Sequence, residues 1–204
     1  MLKKLQVGIM APAVALACLS LPRAAAQAKG QQAETAGRTT NTAQTTTSKS
    51  AFIRKAAEGG MAQMQLGQLA QQKAESPEVK QFADRMVTDH SKANDQLKEV
   101  ASKEGISVPE KLSAKDEATK ARLEKLSGAE FDRAYMAAMV KDHSHDVTEF
   151  RTQARTARDP AVKNFASETL PTLESHLKEA RSVDRQVTGT AATHKVTPHA
   201  QTGS

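Results

Sequence analysis

"SGAEFDRAYMAAMVKDHSHDVTEF", Ser127 to Phe150, is the stretch on which the fold turns. Met136, Val140, Val147, Phe150 and Ala154 recur in steps of three and four, the period of one helix face. The gap between Val140 and Val147 is filled by His143, so the apolar stripe is continuous except for one imidazole. Ser127 and Glu130 stand three apart, the spacing of a capping box, which predicts a helix from there to about Ala157.

Part of this stretch is written twice. "MVKDHS" at Met139–Ser144 repeats "MVTDHS" at Met86–Ser91 with one letter changed. The earlier copy sits on a second periodic stripe, Val79, Ala83, Met86, Ala93, Leu97 and Val100, and His90 fills its gap. A third stripe, Val162, Ala166, Thr169, Leu173, Ala180 and Val183, is interrupted in the same way by His176. A fourth, Phe52, Ala56, Gly59, Leu66 and Ala70, carries Gln63 in its middle.

Four long helices follow from these stripes. The first runs from about Ser50 to Ala74. The second opens at Ser76-Pro77-Glu78, with a cap residue, a first-turn proline and an acid, and closes at Gly105. The third is the opening stretch. The fourth starts at Asp159-Pro160 and ends near Val187. A short helix from Ala114 to Leu126 is expected in the connection between the second and third. That connection is long for a hairpin and leaves two arrangements open: up-down, or a crossover with the second and third helices parallel. Valines do not alternate and hairpin turns are absent, so the fold class is all-α, a bundle of four helices over residues 51–187.

The flanks read differently. Residues 1–26 have the form of a cleaved secretory signal peptide: Lys3 and Lys4, an apolar run from Val7 to Leu21, then small residues. Export to the periplasm or the exterior is the expectation, with no membrane span in the mature chain. The only cysteine, Cys18, lies inside the apolar run, which continues past it, so it reads as part of the discarded peptide and not as a lipid anchor. Residues 27–50 are rich in Thr, Gln and Ala and read as a disordered linker; residues 188–204, with His194 and His199, read as a disordered tail.

Net charge is +6, yet 51–186 holds 22 Lys and Arg against 22 Asp and Glu. The bundle is neutral, without a basic stripe, which argues against nucleic acid as a partner. No nucleophilic cysteine, glycine-rich phosphate loop or serine motif is present, and the sequence points away from an enzyme.

All four stripe intruders lie near the midpoints of their helices. Gln63, His90, His143 and His176 are therefore expected to meet in one central layer. Such a layer reads in two ways: neutral imidazoles satisfied by one another and by water, or three ligands for a transition metal such as zinc, copper or iron. Glu58, one turn from the layer, is a weaker candidate ligand. The Glu-x-x-His step of carboxylate-bridged di-iron bundles is missing, since Val87, Val140 and Leu173 stand three before the histidines. Asp89 and Asp142 are rotated off the stripes and are expected to pair with neighbouring helices or solvent. His145 is expected outside the core. Gly59-Gly60 points to a close helix approach or a bend, and Pro171 to a kink before His176.

The segments "AFIRKAAEGGMAQMQLGQLAQQKAESPEVKQFADRMVTDHSKAN", "GAEFDRAYMAAMVKDHSHDVTEF" and "LPTLESHLKEA" resemble the bacterial domain-of-unknown-function family 4142. The resemblance implies a signal peptide, a ferritin-like bundle with the crossover connection, and the label of a predicted outer-membrane or envelope protein. It implies histidines at His90, His143 and His176, and glutamate where this chain has Gln63. It implies no established activity. Three readings of function follow: an exported binding or stress-associated module of the periplasm or envelope; a metal-binding, redox-capable protein built on the histidines; or an envelope interaction protein.

Overall fold

The computed structural model describes residues 27–194. The signal-peptide segment with Cys18, and the end of the tail with His199, lie outside the described residues. Five helices and no strand are found among those described: α1 (Gln27–Lys73), α2 (Pro77–Lys103), α3 (Ala114–Glu124), α4 (Gly128–Thr156) and α5 (Pro160–His194). The chain divides into two units, Met1–Asn41 and Thr42–Ser204, and the second holds the histidines.

Two helix ends differ from the sequence expectation. α1 begins at Gln27 and takes in the Thr-rich segment read as a linker. No proline interrupts this stretch, which is compatible with a continuous helix. α5 likewise runs past Val187 to His194, continuing helically through Gly189.

The interior boundaries follow local chemistry. Ser76 caps α2, its hydroxyl accepting from Val79 N–H at 3.4 Å, with Pro77 in the first turn. α2 ends in a Schellman turn: Ile106 N–H donates to Ala101 C=O at 2.9 Å and Gly105 N–H to Ser102 C=O at 3.2 Å, with Gly105 at φ +62°. Ser113 caps α3 through Asp116 N–H. Asp159 caps α5 by accepting from Ala161 N–H and Val162 N–H at 3.0 and 3.1 Å. The capping box expected at the start of α4 does not form. Ser127 stands at the N-cap without a side-chain bond, and Gly128 takes φ +56°.

Packing places the core in two clusters. One gathers Leu66 and Ala70 of α1, Phe82 and Met86 of α2, Leu123 of α3, Phe131 and Tyr135 of α4, and Ala180 and Val183 of α5. The other gathers Phe52 and Ile53, Leu97 and Ala101, Val147 and Phe150, Phe165 and Leu173. The N-terminal halves of α2 and α4 thus share one cluster and their C-terminal halves the other. The two helices run in the same direction, and α3 carries the chain back between them. The α1–α2 turn is pinned by a buried carboxylate: Asp132 of α4, 2 % exposed, accepts from Glu75 N–H at 3.1 Å and Ser76 N–H at 2.8 Å. Lys49 bridges the far end, pairing with Glu104 and with Asp159.

α1 and α2 approach closely where α1 lacks side chains. A Cβ on Gly67 would stand 3.0 Å from Val87 Cγ2 and 3.2 Å from Ala83 O, and one on Gly60 would meet Asn94 Oδ1 at 2.1 Å. A Cβ on Gly59 meets nothing within 4 Å. The close approach thus belongs to Gly60 and Gly67. α5 continues helically through Pro171, whose ring leaves the Ser167 carbonyl without its helical donor.

Candidate metal centre

Between the two clusters the stripes change chemistry. His90 sits between Met86 and Leu97 on α2, His143 between Met139 and Val147 on α4, and His176 between Leu173 and Ala180 on α5. His143 and His176 are 0 % exposed and His90 is 6 % exposed. Their ring centroids form a nearly equilateral triangle with sides of 5.4, 5.4 and 5.6 Å. One ring nitrogen of each lies within 4.8 Å of the other two. A zinc ion about 2.0 Å from each nitrogen sets neighbouring nitrogens roughly 3.4 Å apart, a contraction within reach of side-chain rotation.

The hydrogen bonds assign the tautomers. Met139 C=O can only accept, so the 3.0 Å contact to His143 Nδ1 puts a proton there and leaves a lone pair on Nε2. Asp89 Oδ2 lies 2.8 Å from His176 Nε2. The imidazole donates from Nε2, and its lone pair is on Nδ1. That nitrogen is buried and has no hydrogen-bond partner. His90 Nε2 is 3.5 Å from His143 Nε2, so His90 donates to the lone pair that the Met139 bond leaves on His143.

The carboxylate behind His176 is itself held. Arg85, one turn earlier on α2, donates from Nε to Asp89 Oδ2 at 3.3 Å. Its other guanidinium nitrogens reach across to α5, to Glu179 and to Ser175 Oγ at 2.9 Å. This is the carboxylate–imidazole arrangement that orients metal-binding histidines. Asp89 pairs with a neighbouring helix, as its off-stripe position predicts, and the partner is the third histidine.

Electrostatics keeps the imidazoles neutral. Burial holds the pKa of His90 well below its ordinary value, reinforced by His143 and His176. Burial lowers His143 to about 4, with His176 adding to it and the Met139 bond opposing it. Burial also lowers His176, against the pull of Asp89. Three neutral imidazoles therefore converge at neutral pH, and neutral imidazole is a ligand type suited to zinc, copper or iron.

The remaining candidates separate. Gln63 is buried at 2 % exposure, at the level between the clusters, and its Oε1 has no hydrogen-bond partner. Glu58 is half-buried on α1 and stands outside the group of converging ligand atoms. His145 is exposed and lies 3.8 Å from Glu149.

A family model described as domain of unknown function (DUF4142) matches residues 33–183. The chain belongs to this family. The match covers all three histidines and Gln63. None of the curated proteins and none of the solved structures matches the chain.

Two acidic residues of this family member stand out only in three dimensions. Asp89 was legible as a partner for another helix, but not as the group that orients His176. Asp146, three residues after His143, lines a cleft together with His90. Burial pushes its carboxyl up to about 7, helped by Asp142 and Glu149 and opposed by Lys55 and Lys115. The His143–Asp146 spacing of three was the available signal.

Proposed function

We propose that this chain is an exported, ferritin-like four-helix bundle with a crossover between α2 and α4, and that its central histidines bind one transition metal ion. The observation that carries the metal reading is His176 Nδ1. A buried lone pair with no donor costs about 1–3 kcal/mol, yet it is held in place by the Asp89 bond on the other side of the ring. A layer built only for its own hydrogen bonds has no use for that tautomer, whereas a cation between the three rings satisfies it. The all-helical architecture, the direction of α2 and α4 and the family membership support the fold assignment. Lys3, Lys4 and the apolar run after them support export. No helix among the described residues is long and apolar enough to cross a membrane.

Elemental analysis after reconstitution tests the metal reading. The wild-type protein is expected to retain about one equivalent of zinc, copper or iron through gel filtration, and His143→Ala to lose it. Substoichiometric metal in both proteins refutes the proposal.

A further inference from the structure

The three rings are not enclosed alike. His143 and His176 are sealed between the clusters, and His90 alone keeps some exposure. His90 lies on the wall of a cleft of about 40 Å³ that also touches Ala56, Gly59, Gly60, Asn94 and Asp146. The cleft exists because α1 carries glycine where its neighbours carry side chains. At Gly60 the space goes to Asn94, and at Gly59 it stays open. Its size admits a few waters or an ion of two or three heavy atoms, far below the roughly 300 Å³ of an organic-substrate pocket.

Three protein nitrogens leave a tetrahedral metal one position short, and structural zinc sites do not leave that position open. Resting on the metal reading above, we propose that the centre is an open one, with an exchangeable coordination position reached by small ligands through the Gly59 cleft. The occupant is water, or a ligand of two or three heavy atoms that coordinates the metal through a terminal atom. Larger chelating molecules are excluded by Phe52, Phe150 and Phe165, which line the same cleft. Gly59 is thus a gate by omission: helix propensity disfavours it relative to alanine, and its missing side chain keeps His90 within reach of solvent.

The test uses the full-length protein loaded with cobalt(II), and azide as the probe. Azide is expected to change the visible d–d bands saturably in the wild type. Gly59→Leu is expected to bind cobalt with the same stoichiometry and band intensity while losing azide affinity at least tenfold. Cobalt bound with a spectrum that azide leaves unchanged overturns the open position but leaves the metal reading standing. Equal azide affinity in Gly59→Leu, confirmed as folded by circular dichroism, overturns the route. If cobalt does not load into the wild type, the metal reading fails and this inference fails with it.

Discussion

Asp89 Oδ2 and His176 Nε2 meet at 2.8 Å across the α2–α5 interface, and Arg85 holds the carboxylate from the other side. The contact fixes which nitrogen of His176 is free. Asp89→Ala removes the reason for that tautomer without touching a ligand. Zinc affinity, measured by competition with a chromophoric chelator, is expected to fall by about 10–100-fold. An unchanged affinity shows that His176 does not depend on its carboxylate.

The buried imidazoles make stability depend on pH in a definite direction. Their folded pKa values lie below the ordinary 6.5, His143 at about 4, so the unfolded chain binds more protons between these limits. Stability present above pH 6.5 is lost as pH falls toward 4. Asp146 acts oppositely: its folded pKa, about 7, lies above the ordinary 3.8, so its contribution is lost as pH rises through that window. Asp146→Asn is therefore expected to gain about 1–2 kcal/mol at pH 8, allowing for partial solvent screening. Urea unfolding of this variant at pH 8 and pH 5 then isolates the histidines, and a flat profile contradicts their burial as neutral groups.

The glycines of α1 are expected to separate by neighbour. Gly59→Ala adds a methyl to open space and relieves a helix penalty, gaining about 0.5–1 kcal/mol. Gly67→Ala drives the same methyl against Val87 Cγ2 and the backbone oxygen of Ala83, and is expected to cost about 1–3 kcal/mol. Thermal denaturation of the two variants side by side checks the sign of each.

Asp132 accepts from both the Glu75 and the Ser76 amides at the α1–α2 turn. Asp132→Ala leaves two half-buried amides without their carboxylate, and a loss of about 1–2 kcal/mol in urea unfolding is expected. A change below about 0.5 kcal/mol places water, and not the carboxylate, at the turn.

Much of this was legible in one dimension because a helix repeats. A histidine in a gap of steps three and four must face inward, and the midpoints of aligned helices must share a level. His90, His143 and His176 could therefore be placed together before any coordinates. The parts that were not legible are relations between helices. Asp89 lies off its stripe, so periodicity leaves it to a neighbouring helix or to solvent without naming the partner. Only the rotation of α2 against α5 puts Asp89 behind His176. Asp132 stands four residues before Met136, on the α4 stripe, but its partners at the α1–α2 turn are fixed only by packing. Ser127 shows the opposite error: the capping-box spacing was present, but the serine makes no side-chain cap bond, and Gly128 beside it takes φ +56°.

Phe82 stands edge-on to His143 with ring centroids 6.4 Å apart, marking the boundary between an aromatic cluster and the polar level. Sliding any one helix by a single turn, about 5.4 Å, would push its imidazole into a cluster of phenylalanines and pull an apolar side chain into the gap among the others. Helices with uniformly apolar stripes have no such penalty for slipping. The three rings thus act as a vernier, aligning α2, α4 and α5 to one mark during folding.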